Sequence, residues 1–499
     1  MNCREDAGAR LSQPQHVRPR KNLWKFMRPP AIVAAAGGTP APRNKTAHHQ
    51  MNQSFFRHCQ SILAVILAAV SGSSLIAFLS SCTTTNPPAR YVITDYGALG
   101  DGQKLNTKEI QSTIDQCAAR GHGVVVVPAG TFLSGALFLK PGVNLRVEKG
   151  GVLKGSLNTN DYPQVDTRWE GVECRWTAAL INVTNRTGVE LSGEGTIDGS
   201  GELWERRDPR KKPLPPREFF AATNIVVPAA TTNAAKPPQK PGRPRLIVIK
   251  DCQRVSVTGL TLKNQASWGL VFIYCKHIVA DGLTIRVTDY VPSSDGIDVD
   301  SCRHVRISRC DIQTHDDCIS IKSGRNEDGL RVNRPSEDIV VEHSRFGYGH
   351  GAVALGSETS GGIRNVMVRD CVVGDDNWSA VRLKSAPARG GTIENVTYQD
   401  IRLNGVYSAF DLNLTWSGPW TNSSHGPPAI RNVRLINVSG IADTGGSIAG
   451  LADSLIRNIS FSNCTVTAGT GLVISNATDL NLSGLHLDVK NGPPILRRN

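Results

Sequence analysis

The sequence predicts an all-β fold, a right-handed single-stranded parallel β-helix. Apolar runs of three or four residues, rich in β-branched side chains, recur every roughly 20–35 residues, and this recurrence is typical of a solenoid. The chain contains 48 Gly, and only 6% of its residues are aromatic. Helical periodicity is rare. This composition favours turns and short strands over a helical bundle or a doubly wound sheet.

The predicted solenoid is one continuous domain, residues 91–499, in which two or three strands form each turn. The corners between the runs are rich in Asn, Gly and Asp, and Asn tolerates the left-handed backbone of such corners. One helix is predicted over Thr107–Cys117, with Asn106 or Thr107 as its N-cap and Gly121 at its exit. We expect this N-terminal helix to cap the open end of the solenoid, which would otherwise offer unpaired strand edges.

A segment over residues 206–245 breaks the rhythm of the runs. It is rich in Pro, Ala and Lys, as in Lys211-Lys212-Pro213-Leu214-Pro215-Pro216, and Pro cannot supply the hydrogen bonds of a central strand. We interpret the segment as a solvated loop inserted on one turn of the solenoid. The alternative is that its cationic residues contact a polyanion.

The N-terminal region has the pattern of an export signal. An apolar run over residues 61–70 follows Arg57 and precedes Leu79-Ser80-Ser81-Cys82. This pattern resembles a bacterial lipoprotein signal in which Cys82 becomes the lipidated first residue. We therefore expect the protein to be exported and held at the cell envelope by a lipid anchor. The alternative is an ordinary signal peptide with a Cys placed there by chance.

The predicted signal sets the boundaries of the N-terminal segments. Residues 51–81 form the signal, and residues 82–90 form a short Thr, Asn and Pro-rich tether to the solenoid. Residues 1–50 show no packing pattern, and Met51 gives the signal a charged segment of normal length. We interpret residues 1–50 as an over-extended gene start, and the alternative is a disordered segment.

The charge of the chain argues against a nucleic-acid partner. The formal net charge is +13, but ten Lys and Arg against two acidic residues lie before Cys82, so about +5 remains for the solenoid. The sequence contains no basic stripe interleaved with aromatic residues. A mildly basic body with a locally cationic cleft suits an acidic polysaccharide. No exposed apolar stripe is evident, so we predict a monomer.

The cysteines indicate packing and not metal binding. Nine cysteines follow Cys82, and none has the paired Cys-x-x-Cys spacing of a zinc site. We interpret most of them as small buried side chains in a stacked core. The alternative is that one or two disulfides form in an oxidising compartment. No metal and no organic cofactor are predicted.

Charged residues cluster on consecutive runs in the second half of the chain. They are Asp295, Asp316, Asp317, His350 between two glycines, Arg382 and Lys384. If the runs stack as parallel strands, these residues lie on neighbouring turns about 4.8 Å apart. Alternation along the strands places Arg382 and Lys384 together on the outer face, and it places Asp298 and Lys322 there as well.

This set of residue types suits acid–base cleavage of an anionic polymer. Glycosidic cleavage needs a proton donor for the leaving oxygen and a base or nucleophile for the anomeric carbon. Crowded carboxylates move their pKa values apart, so that one can stay protonated while another is ionised. An arginine binds a sugar carboxylate through two hydrogen bonds, and a lysine adds a point charge.

At these residues the chain resembles glycoside hydrolase family 28, the polygalacturonases. The family's signatures correspond to Ser293-Ser294-Asp295, His315-Asp316-Asp317, Gly349-His350-Gly351 and Arg382-Leu383-Lys384, and the N-terminal Tyr96-Gly97-Ala98-Leu99-Gly100-Asp101-Gly102 is typical of pectin-degrading β-helix enzymes. The resemblance covers roughly residues 91–490 and implies the pectin-lyase-like solenoid. It also implies hydrolysis of α-1,4-galacturonosidic bonds with inversion and without a cofactor.

The resemblance implies a role for each catalytic candidate. Asp316 is expected to be the general acid, and Asp295 and Asp317 the pair that activates water. His350 is expected to support the protonation state of the acid. The implied partner is a pectic polysaccharide.

Four further residues are expected to bind substrate. The resemblance places Arg382 and Lys384 on galacturonate carboxylates next to the scissile bond, and we add Lys322 from its outward position. Trp416 is expected to stack on a sugar in place of the family's usual Tyr on that turn.

Departures from the family pattern leave alternatives open. Ser293 replaces an Asn and His315 replaces a Gly beside the catalytic carboxylates, so a decorated pectin such as xylogalacturonan or rhamnogalacturonan is an alternative substrate. The insertion at 206–245 suits exo action in a cleft closed at one end. A calcium-dependent pectate lyase and a non-catalytic polysaccharide-binding β-helix are the remaining alternatives.

Overall fold

The structure, a computed structural model, describes residues 88–205, 242–288, 290–374, 377–416 and 425–498. All of these residues belong to one compact unit. The predicted signal, Cys82, most of the tether and residues 206–241 of the predicted insertion lie outside the described residues. Among the helices of the described part, none is long and apolar enough to span a bilayer.

The described part of the chain is built mainly of strands. Its strands β1 to β17 are Arg90–Val92, Asp101–Leu105, Gly123–Val127, Gly130–Ser134, Leu137–Phe138, Val143–Val147, Gly151–Gly155, Gln164–Trp169, Val172–Thr177, Ile181–Thr184, Thr187–Gly193, Thr196–Asp198, Ile247–Lys250, Gln253–Thr258, Thr261–Lys263, Leu270–Ile273 and Lys276–Asp281. Strands β18 to β33 are Thr284–Arg286, Ile297–Asp300, Arg303–Ser308, Asp311–Gln313, Ile319–Lys322, Ser336–Glu342, Arg345–Phe346, Val353–Leu355, Ile363–Gly374, Ser379–Lys384, Thr392–Asn413, Ala429–Ala449, Ile456–Ser462, Cys464–Ser475, Ala477–Asn481 and Leu485–Arg498. The helices are α1 (Thr107–Ala119), α2 (Gly201–Glu205) and α3 (Asn326–Val332), with 3-10 turns at Ile93–Tyr96 and Thr159–Asp161.

Apart from β8 and β9, the described strands form three parallel columns, because each strand pairs with the strand one turn later. One column runs β1-β3-β6-β11-β14 and onward, and a second runs β2-β4-β7-β12-β15. The third, which carries the site, runs β5-β10-β13-β16-β19-β22-β25-β27 and continues into the last segments of β28 and β29. This arrangement confirms the predicted parallel β-helix.

Stacked apolar side chains fill the space between the columns. In the third column the row Ile297, Ile319, Val353, Val381 and Phe410 is aligned residue against residue, and each member is fully buried. Burying one such side chain stabilises the fold by about 1.5–3 kcal/mol. Each turn adds one residue to such a row. A shift of one residue would turn the apolar side chains to the outer face, so the alternation of apolar and polar positions fixes the register.

Asparagine and aspartate form the corners, as predicted from their abundance there. Asn365, Asn395, Asn432 and Asn458 all have a positive φ. The side chain of each donates a hydrogen bond to the residue one turn earlier, with lengths of 2.9–3.2 Å. The ladder satisfies the polar side chains while the left-handed backbone turns the chain.

Helix α1 occupies the predicted position. It begins after the N-cap Asn106 and ends before Arg120. Its residues Ile110, Ile114 and Cys117 are buried in the main core. That the helix caps the end of the solenoid stays a prediction.

The nine described cysteines are free thiols. All are buried except Cys174, which is half-buried. The backbone N–H of Cys252 donates to the Cys275 Sγ, and that of Cys275 donates to the Cys302 Sγ. This stack agrees with the interpretation of the cysteines as core residues.

The sequence analysis missed an antiparallel hairpin, as well as helices α2 and α3. Strands β8 and β9 form an antiparallel hairpin that belongs to none of the three columns. The hairpin is fixed to the solenoid by buried ion pairing of Arg168 with Asp300 at 3.0 Å. It is also fixed by a hydrogen bond of 3.0 Å from Tyr274 to Glu173.

Candidate active site

The site lies on the outer face of the third column, where a polar row crosses consecutive turns. Asp298, Ser320, Ala354, Arg382, Asp411 and Ser447 are aligned in register. A second row pairs Asp300 with Lys322 and Lys384 with Asn413. The alternation therefore places Arg382 and Lys384 outward together, as predicted from strand parity.

A cavity of about 880 Å³ covers this face. All eight residues predicted to act in catalysis or substrate binding line it, namely Asp295, Asp316, Asp317, His350, Lys322, Arg382, Lys384 and Trp416. They come from segments spread over more than a hundred residues of sequence. The fold brings them together because each segment is one turn of the same solenoid.

The three candidate carboxylates are close neighbours. Asp295, Asp316 and Asp317 each offer an oxygen atom, and these atoms lie within 4.8 Å of one another. The Asp316 side chain is 24% exposed, whereas those of Asp295 and Asp317 are 4% and 2% exposed. Asp316 is therefore the carboxyl of the three that a bound ligand reaches most easily.

Close packing explains why glycines flank His350. A Cβ on Gly349 would lie 2.8 Å from the Cys318 Sγ. A Cβ on Gly351 would lie 3.0 Å from both the Arg382 side chain and the Asp317 carboxylate. The His350 N–H donates to the Asp316 carbonyl oxygen at 2.9 Å, so the Gly-His-Gly segment sits directly on the Asp-Asp turn.

Each carboxylate of the cluster has a different basic partner. The His350 Nδ1 lies 3.2 Å from the Asp316 Oδ1, and the Lys384 Nζ donates to the Asp317 Oδ2 at 2.7 Å. The Lys322 Nζ lies 3.5 Å from the nearest oxygen of each of three carboxylates, those of Asp295, Asp298 and Glu358. Lys322 therefore holds the acidic cluster together electrostatically, besides lining the cavity.

Burial and neighbouring charge move the pKa values of these groups apart. Burial, with Asp298 and Asp316 close by, raises the pKa of Asp295 well above its usual range. Burial raises the pKa of Asp298 to about 7 despite Lys322. Burial opposes ionisation of Asp316 too, but the charge and hydrogen bond of His350 hold the pKa of that carboxyl well below its usual range. The carboxylates share protons as a group.

The cavity is lined by further charged residues that the sequence analysis did not assign. Glu170 at the hairpin turn, Arg325, Glu358, Arg389 and Asp411 all line the cavity. Lys322 and Arg389 oppose the effect of burial and hold the pKa of Glu358 at about 2. The only sequence signal for Glu358 is its place a few residues after the Gly-His-Gly motif. Glu170 belongs to the hairpin that had no signal.

Aromatic residues border the cavity on two sides. Trp268 lies under the Lys322 ammonium, which is 4.6 Å from the ring centroid. Trp378 and Tyr407 stack on each other at 3.9 Å. Trp416 lines the cavity with the Arg389 guanidinium 5.7 Å from its ring, and its stacking on a sugar stays a prediction.

The two departures from the family pattern lie in different surroundings. Ser293 lines the cavity and has a φ of 55°. The His315 ring packs 5.1 Å from the Tyr348 ring, and the His315 N–H donates to the Ser294 Oγ at 3.1 Å. Ser293 is thus the departure that faces a ligand.

The carboxylate cluster contains the oxygen donors that a hard cation prefers. Lys322 and Lys384 occupy positions beside the same oxygens, and their ammonium groups compete with a divalent cation for them. The absence of a metal cofactor stays a prediction.

Comparison with known proteins identifies the family. The model of the glycosyl hydrolases family 28 matches residues 117–484, which is most of the chain. The chain therefore belongs to glycosyl hydrolases family 28, and it is a glycoside hydrolase.

Relatives agree with this assignment. A probable polygalacturonase of Vitis vinifera is 29% identical over 75% of this chain and 73% of its own length. An exo-poly-alpha-D-galacturonosidase of Dickeya chrysanthemi is 30% identical over 65% of this chain, which spans 56% of that enzyme. The crystal structure of a hyperthermoactive exopolygalacturonase from Thermotoga maritima covers 83% of this chain and 93% of its own, at 27% identity and a TM-score of 0.65.

Proposed function

We propose that the protein hydrolyses α-1,4-galacturonosidic bonds in pectin. The observation that carries the proposal is the cavity in which three carboxylates within 4.8 Å of one another meet Lys322, Arg382 and Lys384. Carboxylates supply the acid and base of glycosidic cleavage, while the cations suit an anionic sugar. The names of the relatives, which include polygalacturonases and an exo-poly-alpha-D-galacturonosidase, support the same substrate.

Asp316 is the general acid in this proposal. Its carboxyl is the most exposed of the three, so it can reach a glycosidic oxygen. His350 contacts the same carboxyl. His350 holds the pKa of Asp316 low, whereas burial holds the pKa of Asp295 high, so in this proposal the proton of the cluster moves from Asp295 to Asp316 when the sugar binds. This transfer makes Asp316 the acid and Asp295 a base, and the imidazole can return a proton after each turnover.

Asp295 and Asp317 activate the water in this proposal. One Asp317 oxygen is bound by Lys384, and the other, Oδ1, has no hydrogen-bond partner among the described residues. That oxygen is free to accept a hydrogen bond from water. Inverting enzymes with a single acid and a single base usually place them about 6.5–9.5 Å apart. Here two carboxylates hold the water, so we propose inversion at a shorter spacing.

Exo action is part of the proposal, with the hairpin β8–β9 as the element that ends the cleft. Trp169 at the end of β8 stacks on Trp268 at 4.7 Å. Glu170 lines the cavity and pairs with Arg325 at 3.1 Å. A Cβ on Gly171 would lie 3.0 Å from the Glu358 side chain, so the hairpin turn is packed directly against the catalytic region. The predicted role of the 206–245 insertion in closing the cleft stays a prediction.

Product analysis on polygalacturonate tests the exo proposal. The protein is expected to release monomeric galacturonate from the start, with little loss of viscosity. A Glu170→Ala, Arg325→Ala double variant removes the ion pair that holds the hairpin turn, and it is expected to add longer oligomers. The matched control is Glu190→Ala, an exposed residue on β11. A mixture of long oligomers from the unmodified protein would contradict exo action.

We further propose that the protein is a monomer anchored by a lipid on Cys82 at the cell envelope. The apolar run followed by Leu79-Ser80-Ser81-Cys82 supports the anchor. Labelling with a palmitate analogue in a bacterial host is expected to mark the protein and not its Cys82→Ser variant. Equal labelling, or a soluble unlabelled product in both cases, would contradict the anchor. Size-exclusion chromatography with light scattering tests the monomer.

A further inference from the structure

The wall of the cavity beyond Arg382 carries an acidic side chain that the proposed chemistry does not use. Asp411 stands opposite Arg382 in the next turn, and Ser447 stands opposite Asp411. The Asp411 side chain is 17% exposed and its Oδ2 lies 3.9 Å from the Arg382 Nε. Its Oδ1 accepts a hydrogen bond of 3.3 Å from the Ser447 Oγ. A carboxylate thus faces the ligand beside the cation expected to bind a uronate.

Each of the two cations on this side of the cavity has an acidic neighbour. Lys384 is paired with Asp317, and Arg382 lies beside Asp411 while its Nη1 donates to the His350 carbonyl oxygen. Among the described residues of β28 and β29 that line the cavity, none is cationic, and Asp411 is the acidic one. The other lining residues of β28 and β29 are uncharged, and they include Ser408, Asn413 and Thr444. This wall therefore offers hydrogen bonds but no excess positive charge.

An aromatic surface borders the same wall. The Trp378 and Tyr407 rings are stacked at 3.9 Å with their planes 17° apart, and both residues line the cavity. Tyr407 is 38% exposed, so a flat apolar face is available to a ligand. An apolar face with a few hydroxyl and amide groups around it is the usual make-up of a site for an uncharged polar ligand.

We propose that Asp411 is a specificity-determining residue that selects an uncharged sugar in the subsite between Arg382 and β29. The proposal rests on the proposed hydrolysis and adds which sugar stands on that side of the scissile bond. A free uronate carboxylate there would face Asp411 at short range, and like charges in a partly buried site repel. A methyl-esterified galacturonate and a neutral hexose both lack the repelled charge.

Burial raises the pKa of Asp411 above its ordinary value despite Arg382 and Lys384. Three disaccharides therefore test this proposal at about pH 8, where a carboxyl with a moderately raised pKa is ionised. Each has galacturonate α-1,4-linked to a second residue, which is galacturonate, its methyl ester or galactose. The kcat/KM of each is measured with the full chain, with Asp411→Asn and with Asp488→Asn. Asp488 is exposed on β33, and its variant removes the same charge away from the cavity.

The expected result is a kcat/KM for the uncharged disaccharides about tenfold above that for the free acid. Asp411→Asn is expected to bring this ratio close to one, and Asp488→Asn to leave it unchanged. Equal rates on the ester and the galactose disaccharide show that the site selects a sugar without a negative charge. A preference for the ester alone shows that the natural substrate is methyl-esterified pectin. A preference for the free acid, or an unchanged ratio in Asp411→Asn, overturns the proposal.

Binding separates this proposal from the hydrolysis on which it rests. If none of the three disaccharides is cleaved, the proposed hydrolysis fails for these substrates. The affinity of each disaccharide for the unmodified protein, measured by calorimetry, then tests the role of Asp411. Tighter binding of the two uncharged disaccharides, lost in Asp411→Asn, supports that role. Equal affinities, or tighter binding of the free acid, refute it.

Discussion

Replacing Asp298 with Asn changes how the stability of the protein depends on pH. Asp298 is fully buried, and neither of its carboxyl oxygens has a hydrogen-bond partner among the described residues. Its ion-pair partner among the described residues is Lys322 at 3.5 Å, which also contacts Asp295 and Glu358, and Arg245 interacts with it electrostatically. A carboxyl so placed is costly to ionise.

The sign of the effect follows from the pKa of Asp298. Burial raises that pKa from 3.8 to about 7, so the folded protein binds the proton more tightly than the unfolded chain does. The stability from this group is present in full below about pH 4 and is lost as the pH rises to about 7. The interval corresponds to about 4 kcal/mol. Because Lys322 can shift toward Asp298 when it ionises, we expect about 2–4 kcal/mol.

Asn has no carboxyl proton to lose, so the Asp298→Asn variant does not lose this stability as the pH rises. Urea unfolding at pH values from about 4 to about 8 is expected to show near-equal stability of the two proteins at the acidic end and a more stable variant at the alkaline end. Asp488→Asn, at an exposed position on β33, controls for loss of one negative charge. A difference between variant and unmodified protein that stays constant with pH, or that favours the unmodified protein at high pH, would refute the reasoning.

Three further changes test the site and the core. His350→Gln removes the imidazole that holds the pKa of Asp316 low, so the pH profile of kcat/KM should move to higher pH. Losing the group that returns a proton to Asp316 should also lower kcat by about 10²-fold, and an unshifted profile would contradict the role of His350. Arg382→Lys loses the planar fork that binds a carboxylate, so KM for polygalacturonate should rise about tenfold with a smaller change in kcat, and a loss confined to kcat would argue against a binding role. Phe410→Ala empties a fully buried position in the core row and should lower the free energy of unfolding by about 3–5 kcal/mol in urea titrations; a loss below about 1 kcal/mol would mean that the row is not tightly packed.

The sequence predicted the columns of the fold because they repeat. Period-two alternation in Ile297–Asp300, Ile319–Lys322 and Ser379–Lys384 determines which residues face the core. The same alternation predicted that Arg382 and Lys384 lie outward together. The asparagine corners were also predicted from the sequence, since few residue types adopt a positive φ without an energetic cost.

The rest of the site depends on contacts that have no sequence period. The hairpin β8–β9 is an insertion outside the columns, and its position is set by pairs such as Arg168 with Asp300 and Trp169 with Trp268. Those partners are about a hundred residues or more apart in the chain. The three carboxylates around Lys322 were not predicted for the same reason. One of them, Glu358, comes from a later turn of the solenoid. Local patterns predict strands, but they do not predict which insertion packs on which turn.

Anomer-resolved proton NMR of polygalacturonate hydrolysis tests the central claim most directly. With chelator present, the unmodified protein is expected to release galacturonate whose first-formed anomer is β, which shows single-step inversion. Asp316→Asn is expected to lose most of this turnover while still binding the polymer. Release of the α-anomer first would contradict inversion. Unsaturated products, or equal rates for the protein and its Asp316→Asn variant, would contradict the assignment of the carboxylate cluster as a hydrolytic site.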